Sequence, residues 1–210
     1  LIKYSTYAGS SDTELLSSGI TDLGDVPSPD YAEGEARVAT AVSGLLSTHK
    51  ILVALGGDNS ITYSVASGLF PDLRNVGLIT FDAHHDLREG ISNGSPIWRL
   101  IEAGLPGKNI VQIGLSDFAN SGPYAKRAKD AGITTIHRAE LRDRKISEVI
   151  LQALAIAGAG GREIYIDIDV DVCDRSVAPA CPASVPGGIS ADELRQAANL
   201  VARDSRVRAI

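Results

Sequence analysis

The 210-residue chain contains no stretch approaching the ~20 consecutive apolar residues that a membrane span requires. Its opening, LIKYSTYAGSSD, lacks the basic-then-apolar pattern of a secretion signal, so a soluble, cytoplasmic protein is expected. No block of Lys and Arg is present, and the formal net charge is −6 at pH 7. Neither nucleic acid nor membrane is therefore expected as a partner, since a phosphate backbone is bound by clustered cations. A small molecule fits the charge better. Cysteine is scarce: Cys173 and Cys181 stand eight residues apart, with no second Cys or His pair at zinc spacing. That excludes a disulfide framework and a thiolate zinc site, and both are read as reduced thiols. Internal repeats are missing too, and the short GAGG at 158–161 reads as the closure of a helix.

What is present has the composition of an ordinary globular protein, 44% hydrophobic and 22% charged, at a length suited to one α/β domain. Apolar, β-branched runs recur: ILVAL (51–55), VGLITF (76–81), NIVQIG (109–114), GITTIH (132–137) and REIYIDID (162–169). They read as buried parallel strands. Between them lie segments with amphipathic spacing: GEARVATAVSGLLSTH, ITYSVASGLF, SPIWRLIEAG, PYAKRAKDAG and ISEVILQALAIAGAG. Several end in a Gly stop, and SADELRQAANLVAR begins at a capping Ser190. Such alternation predicts a mostly parallel sheet with helices on both faces, and ligands gathered beyond the carboxyl ends of its strands. The final RVRAI begins another β-like run, and the first forty residues have weak periodicity. Residues 1–210 are thus expected to form a single domain, incomplete at both ends.

Metal-binding side chains concentrate at the predicted strand ends, in LGGDNS, FDAHHDL and IDIDVDVCD. Alternate residues of an extended segment project the same way, so Asp82, His84 and Asp86 are expected to converge on one point. Asp167, Asp169 and Asp171 repeat the spacing, and carboxylates so close repel unless protons or cations compensate them. A lone Asp at a strand end is usually a turn former or helix cap. Two acidic clusters after two buried strands, with a Gly-Gly-Asp turn after a third, shift the balance to a divalent ion. Carboxylates with a minority of imidazole suit Mn²⁺, with Mg²⁺, Fe²⁺ or Zn²⁺ as alternatives.

These segments resemble a known family. GGDNS is similar to the GGDHS motif of the ureohydrolases, FDAHHD to their DAHxD, and IDVDVCDRSVAPACPASVPGGIS to their DxDxxDPxxxPxxxxPxxGG stretch, in the same order and across roughly residues 51–190. The resemblance, to arginases, agmatinases and formimidoylglutamases, implies a three-layer α/β/α sandwich around a mostly parallel sheet and two Mn²⁺ ions. It further implies a homo-oligomer and hydrolysis of a C–N bond at an amidine or guanidine carbon. Carried over by position, Asp82 and Asp169 bridge the ions, Asp86 completes one shell, and His84 with Asp171 the other. Asp86 doubles as the catalytic acid and base, Asp167 is a supporting or structural residue, and His85 points away. Asn59 stands where the family has a histidine ligand, a weaker neutral donor that leaves one ion loosely held or absent. Asn93 likewise replaces a histidine, and a substrate-orienting Glu of the family would lie beyond Ile210.

Among the substrates of that family, DLR (86–88) with SNGSP (92–96) is most like the formimidoylglutamases, whose substrate carries two carboxylates. Arg88 is placed to pair bidentately with one of them; the competing reading has it in solvent or paired with Glu89. Asn93 and Ser95 are expected as polar substrate contacts, or else as the turn that caps the following helix. An agmatinase-type hydrolase and a non-catalytic relative are the alternatives.

Overall fold

The computed structural model describes residues 7–9, 12–14 and 19–210; much of the opening segment discussed above lies outside the described residues. A short antiparallel pair, β1 (Tyr7–Ala8) and β2 (Thr13–Glu14), precedes the main body. Five parallel strands then form the central sheet: β3 (Val76–Phe81), β4 (Ile110–Leu115), β5 (Thr134–His137), β6 (Glu163–Ile168) and β7 (Val207–Ala209), in the order β5-β4-β3-β6-β7. β3 and β4 are buried on both faces, and β6 nearly so, which is why their sequences are apolar throughout rather than alternating.

Helices cover both faces. On one, α1 (Tyr31–Val42), α2 (Ile61–Leu69), α3 (Pro96–Glu102) and α4 (Gly122–Ala131) bury Val38, Val65, Leu69, Ile97, Leu100 and Ala128 against Leu78 and Ile110. On the other, α5 (Ile146–Ala157) and α6 (Ala191–Val201) pack Val149, Ile150, Ala153, Ala197 and Val201 onto Ile79, Phe81, Ile113 and Ile166. The expected three-layer α/β/α sandwich is what forms. Ser190 caps α6 in a full capping box with Glu193. None of the described helices is long and apolar enough to cross a membrane.

Two details depart from expectation. ILVAL (51–55) is not a buried strand: it runs along the sheet edge beyond β7, bonded through Leu52 and Ala54 to the backbone of Arg208 and Ile210. Ile51, Val53 and Leu55 face outward and are exposed, because a segment outside the last strand has only one covered side. The second departure is at the acidic ends. The strand ends at Ile168 and extended backbone at Asp169, which caps a 3-10 turn formed by residues 170–172. Asp86 takes a left-handed φ of 52°, and it lies beyond the end of β3 at Phe81, so its direction is not set by strand alternation.

Strand order reverses beside β3: the chain runs from β3 outward through β4 to β5, then returns through α5 to place β6 on the other side of β3. The two segments rich in aspartate leave β3 and β6 at this switch point, where an open parallel sheet parts its loops into a crevice.

Candidate metal centre

Asp82 continues the ladder out of β3, its N–H donating to Ile113 O at 3.0 Å, and Asp169 does the same out of β6 by donating to Phe81 O at 2.9 Å. The backbone therefore holds both acidic segments side by side. Gly114 makes room for them: it sits at a bulge in β4 with φ of 101°, and a Cβ there would lie 2.4 Å from Val172 Cγ2 in the 3-10 turn.

Asp82, His84 and Asp171 present ligand atoms that all lie within 4.8 Å of one another. His84 Nδ1 is 2.9 Å from Asp171 Oδ2 and 3.4 Å from Asp82 Oδ1. The other oxygen of Asp171 accepts the Ala83 N–H at 3.1 Å, while Asp82 Oδ1 accepts the His84 N–H at 2.6 Å. Asp169 Oδ1 accepts from the Asp171 N–H at 2.9 Å, which fixes the turn that aims Asp171. Asp86 stands in a second group, where the Asn59 amide donates to its Oδ2 and Asn59 Oδ1 accepts from Thr62 at 3.2 Å. Thr62 also meets Asp167 Oδ1 at 2.8 Å. The sequence places Asn59 beside the metal, and its structural partner is the carboxylate of Asp86.

The charges are unbalanced. Asp82, Asp86, Asp167 and Asp171 are buried, and among the described residues no Lys or Arg forms an ion pair with any of them or with Asp169. Burial, reinforced by the neighbouring Asp86 charge, pushes the Asp82 carboxyl well above the usual carboxylate range. Burial also lifts Asp86 and Asp167 to about 7, and raises Asp169. Asp171 is the exception: although it is desolvated, its hydrogen bond to His84 holds it low, and the same contact lifts His84 to about 10. Asp167 Oδ2 is buried without a hydrogen-bond partner. A carboxylate-rich donor set with one imidazole, short of positive charge and with an orphaned oxygen, fits a hard divalent cation.

His85 turns away from this cluster. Its Nδ1 meets Gln112 Oε1 at 2.7 Å, Gln112 Nε2 donates back to His85 O at 2.9 Å, and Asn120 accepts the His85 N–H and donates to Ala83 O, both at 2.9 Å. Gln112 and Asn120 were missed by the motif reading. Gln112 left a signal, as a fully buried amide inside an otherwise apolar strand.

The residues expected to meet substrate divide. Arg88 is exposed, with its side chain lying across Gly94 and its N–H donating to Gly94 O at 3.0 Å. Glu89, its expected competitor, pairs with Arg127 at 2.7 Å, and among the described residues no ion pair engages Arg88. Asn93 is exposed on the same loop. Ser95 is fully buried, with its hydroxyl donating to Ser92 O and accepting the Ser92 N–H, both at 2.8 Å. It closes the turn before α3 and turns no polar group to solvent.

Residues 2–210 match the model of the arginase family. A formimidoylglutamase of Halalkalibacterium halodurans is 35% identical over 98% of this chain and 67% of its own length. The crystal structure of formimidoylglutamase from Bacillus subtilis superposes with a TM-score of 0.90 at 31% identity, covering 99% of this chain and 68% of that one. A Trypanosoma cruzi formiminoglutamase with Mn²⁺ shares the fold at a TM-score of 0.78 and 23% identity, over 89% of this chain and 64% of that one. The chain thus spans about two thirds of the length of these relatives.

Proposed function

The chain belongs to the arginase family, and from that premise we propose that it hydrolyses formimidoylglutamate to glutamate and formamide at a two-manganese centre. Two relatives that match 98% of the chain at 33–35% identity are formimidoylglutamases, whereas an agmatinase matches 97% of it at 27%. The single observation that carries the substrate choice is Arg88: Glu89 is taken by Arg127, which leaves an exposed guanidinium two residues from Asp86. A guanidinium is a bidentate partner for a carboxylate, and the cationic substrates agmatine and arginine have no use for one at their guanidino end.

Asp82, His84, Asp169 and Asp171 would hold one ion and share carboxylates with a second, which Asp86 completes beside Asn59. When bound, such a pair supplies the Lewis acidity that lowers the pKa of water and polarises the amidine. The chain's own residues do the rest. Asp86 accepts a proton from the attacking water and returns one to the glutamate nitrogen as the C–N bond breaks, so water is consumed and formamide and glutamate leave in balance. Asn59 steers the Asp86 carboxylate by donating to one of its oxygens, Arg88 anchors a substrate carboxylate, and Asn93 offers a polar contact on the same loop. The same reading extends to a homo-oligomer acting in the cytoplasm.

Purified protein supplied with manganese and assayed against formimidoylglutamate, agmatine, arginine and guanidinobutyrate tests the substrate. Formimidoylglutamate is expected to be preferred, with Arg88→Ala raising its KM by about one to two orders of magnitude, as loss of a charge-assisted pair of ~1.5–3 kcal/mol requires. Preference for a cationic substrate would overturn the assignment.

A further inference from the structure

The segment carrying Asp86 and Arg88 is held by contacts from two different helices. Asp86 has a left-handed φ, a conformation that costs an aspartate about 1 kcal/mol and persists only where the surroundings impose it. Its carbonyl accepts the Trp98 N–H at 3.2 Å, from the first turn of α3. The next carbonyl, that of the fully buried Leu87, accepts from Arg127 Nη1 at 2.6 Å. Arg127 Nη2 donates to Glu89 at 2.7 Å, so one guanidinium from α4 spans the segment on both sides of Arg88. That guanidinium lies 4.3 Å from the Trp98 ring centroid and 5.8 Å from that of Tyr124, and its side chain is only 25% exposed. An arginine so stacked loses little freedom in making its hydrogen bonds, and a lysine, with one nitrogen, lacks the planar fork that meets the two acceptors side by side.

We infer that Arg127 is a positioning residue of the centre: stacked on Trp98 and bonded to Leu87 O and Glu89, it imposes the left-handed conformation that aims Asp86 inward and leaves Arg88 clear of Glu89. The inference rests on the proposed role of Asp86 as a ligand and of Arg88 as a substrate contact. Glu89 has a definite part, since its carboxylate occupies Arg127 rather than Arg88. Outer contacts of this kind typically alter metal affinity by roughly 10- to 100-fold.

Wild type, Arg127→Met, Arg127→Lys, Glu89→Gln and Asp86→Asn are compared by manganese titration calorimetry and by hydrogen exchange of the metal-free proteins. Arg127→Met is expected to speed exchange at residues 84–94 about tenfold and to weaken, by roughly 10- to 100-fold, only the ion whose uptake Asp86→Asn abolishes. Arg127→Lys, keeping a donor for Leu87 O without the planar fork, should fall between, and so should Glu89→Gln, which leaves Arg127 a neutral acceptor in place of the carboxylate. Wild-type exchange and affinity in Arg127→Met would overturn the inference. Should that variant fail to fold, Arg127→Lys decides: no shift in either reading overturns it. A wild-type protein taking up one ion would overturn the two-manganese proposal, and exchange at residues 84–94 would still judge the role of Arg127.

Discussion

Thr62 has one hydroxyl proton and two oxygens in reach, Asp167 Oδ1 and Asn59 Oδ1. The hydroxyl lies closer to Asp167, at 2.8 Å, than to Asn59, at 3.2 Å, and its bond to Asp167 works against the burial that lifts that carboxyl to about 7. With its oxygen toward Thr62, the Asn59 amide turns its nitrogen to Asp86. Replacing Asn59 with His substitutes an imidazole donor for an amide, so manganese affinity measured by calorimetry is expected to hold or rise; a fall would show that the amide's bond to Asp86 outweighs ligation. Asp82 offers the opposite experiment. Asp82→Asn removes a carboxyl whose ionisation burial and the Asp86 charge oppose in the folded state, so the metal-free protein should melt higher at neutral pH, at roughly 2–4 °C per kcal/mol for a chain of this size. The same change should abolish the manganese-induced shift, and a lower melting point without metal would contradict the charge imbalance.

At the scale of elements, the centre depends on how closely the turn after β6 approaches β4. Gly114→Ala would force a Cβ into Val172 and strain a left-handed φ. A loss of about 2–4 kcal/mol is expected, from strain and overpacking together, with weaker manganese uptake because Asp169 and Asp171 move with the turn. Denaturant unfolding and calorimetry check both effects. The elements also separate what was legible in the sequence from what was not. VGLITF, NIVQIG and REIYIDID announced β3, β4 and β6 because strands buried on both faces leave an uninterrupted apolar run. ILVAL has the same composition but lies at the edge, and composition does not encode strand order. The aspartates were legible as a cluster, whereas their aim depends on a 3-10 turn and a left-handed φ that spacing alone does not reveal. Arg127 was invisible for a further reason: its contact with Leu87 joins residues forty positions apart.

For the whole molecule, the raised pKa values predict how stability follows pH. A carboxyl lifted from 3.8 to about 7, as at Asp86, leaves the folded state progressively destabilised as pH rises through that interval. His84, lifted from 6.5 to about 10, contributes stability that is complete below 6.5 and lost as pH rises through 10. Both signs agree, so the metal-free protein should melt progressively lower from about pH 5 to about pH 9. Manganese binds the deprotonated forms, and its stabilisation should grow over the same range, approaching about 2.7 kcal/mol for each site at free metal one hundred times Kd. Differential scanning fluorimetry with and without manganese measures this, and a metal shift larger at low pH would contradict it.

β3 and β6, from which the two acidic segments emerge, are hydrogen-bonded neighbours in register from Val76 opposite Glu163 to Phe81 opposite Ile168. Paired strands sit ~4.8 Å apart, a spacing set by peptide geometry and close to the ~3.5–4 Å that the proposed pair of cations would need. The sheet therefore serves as a gauge for the two halves of the centre, one that side-chain substitution leaves largely untouched. Residues 88–95 lie off that gauge, so under the proposed function the choice of substrate would be free to drift there while the two acidic segments stay in calibration.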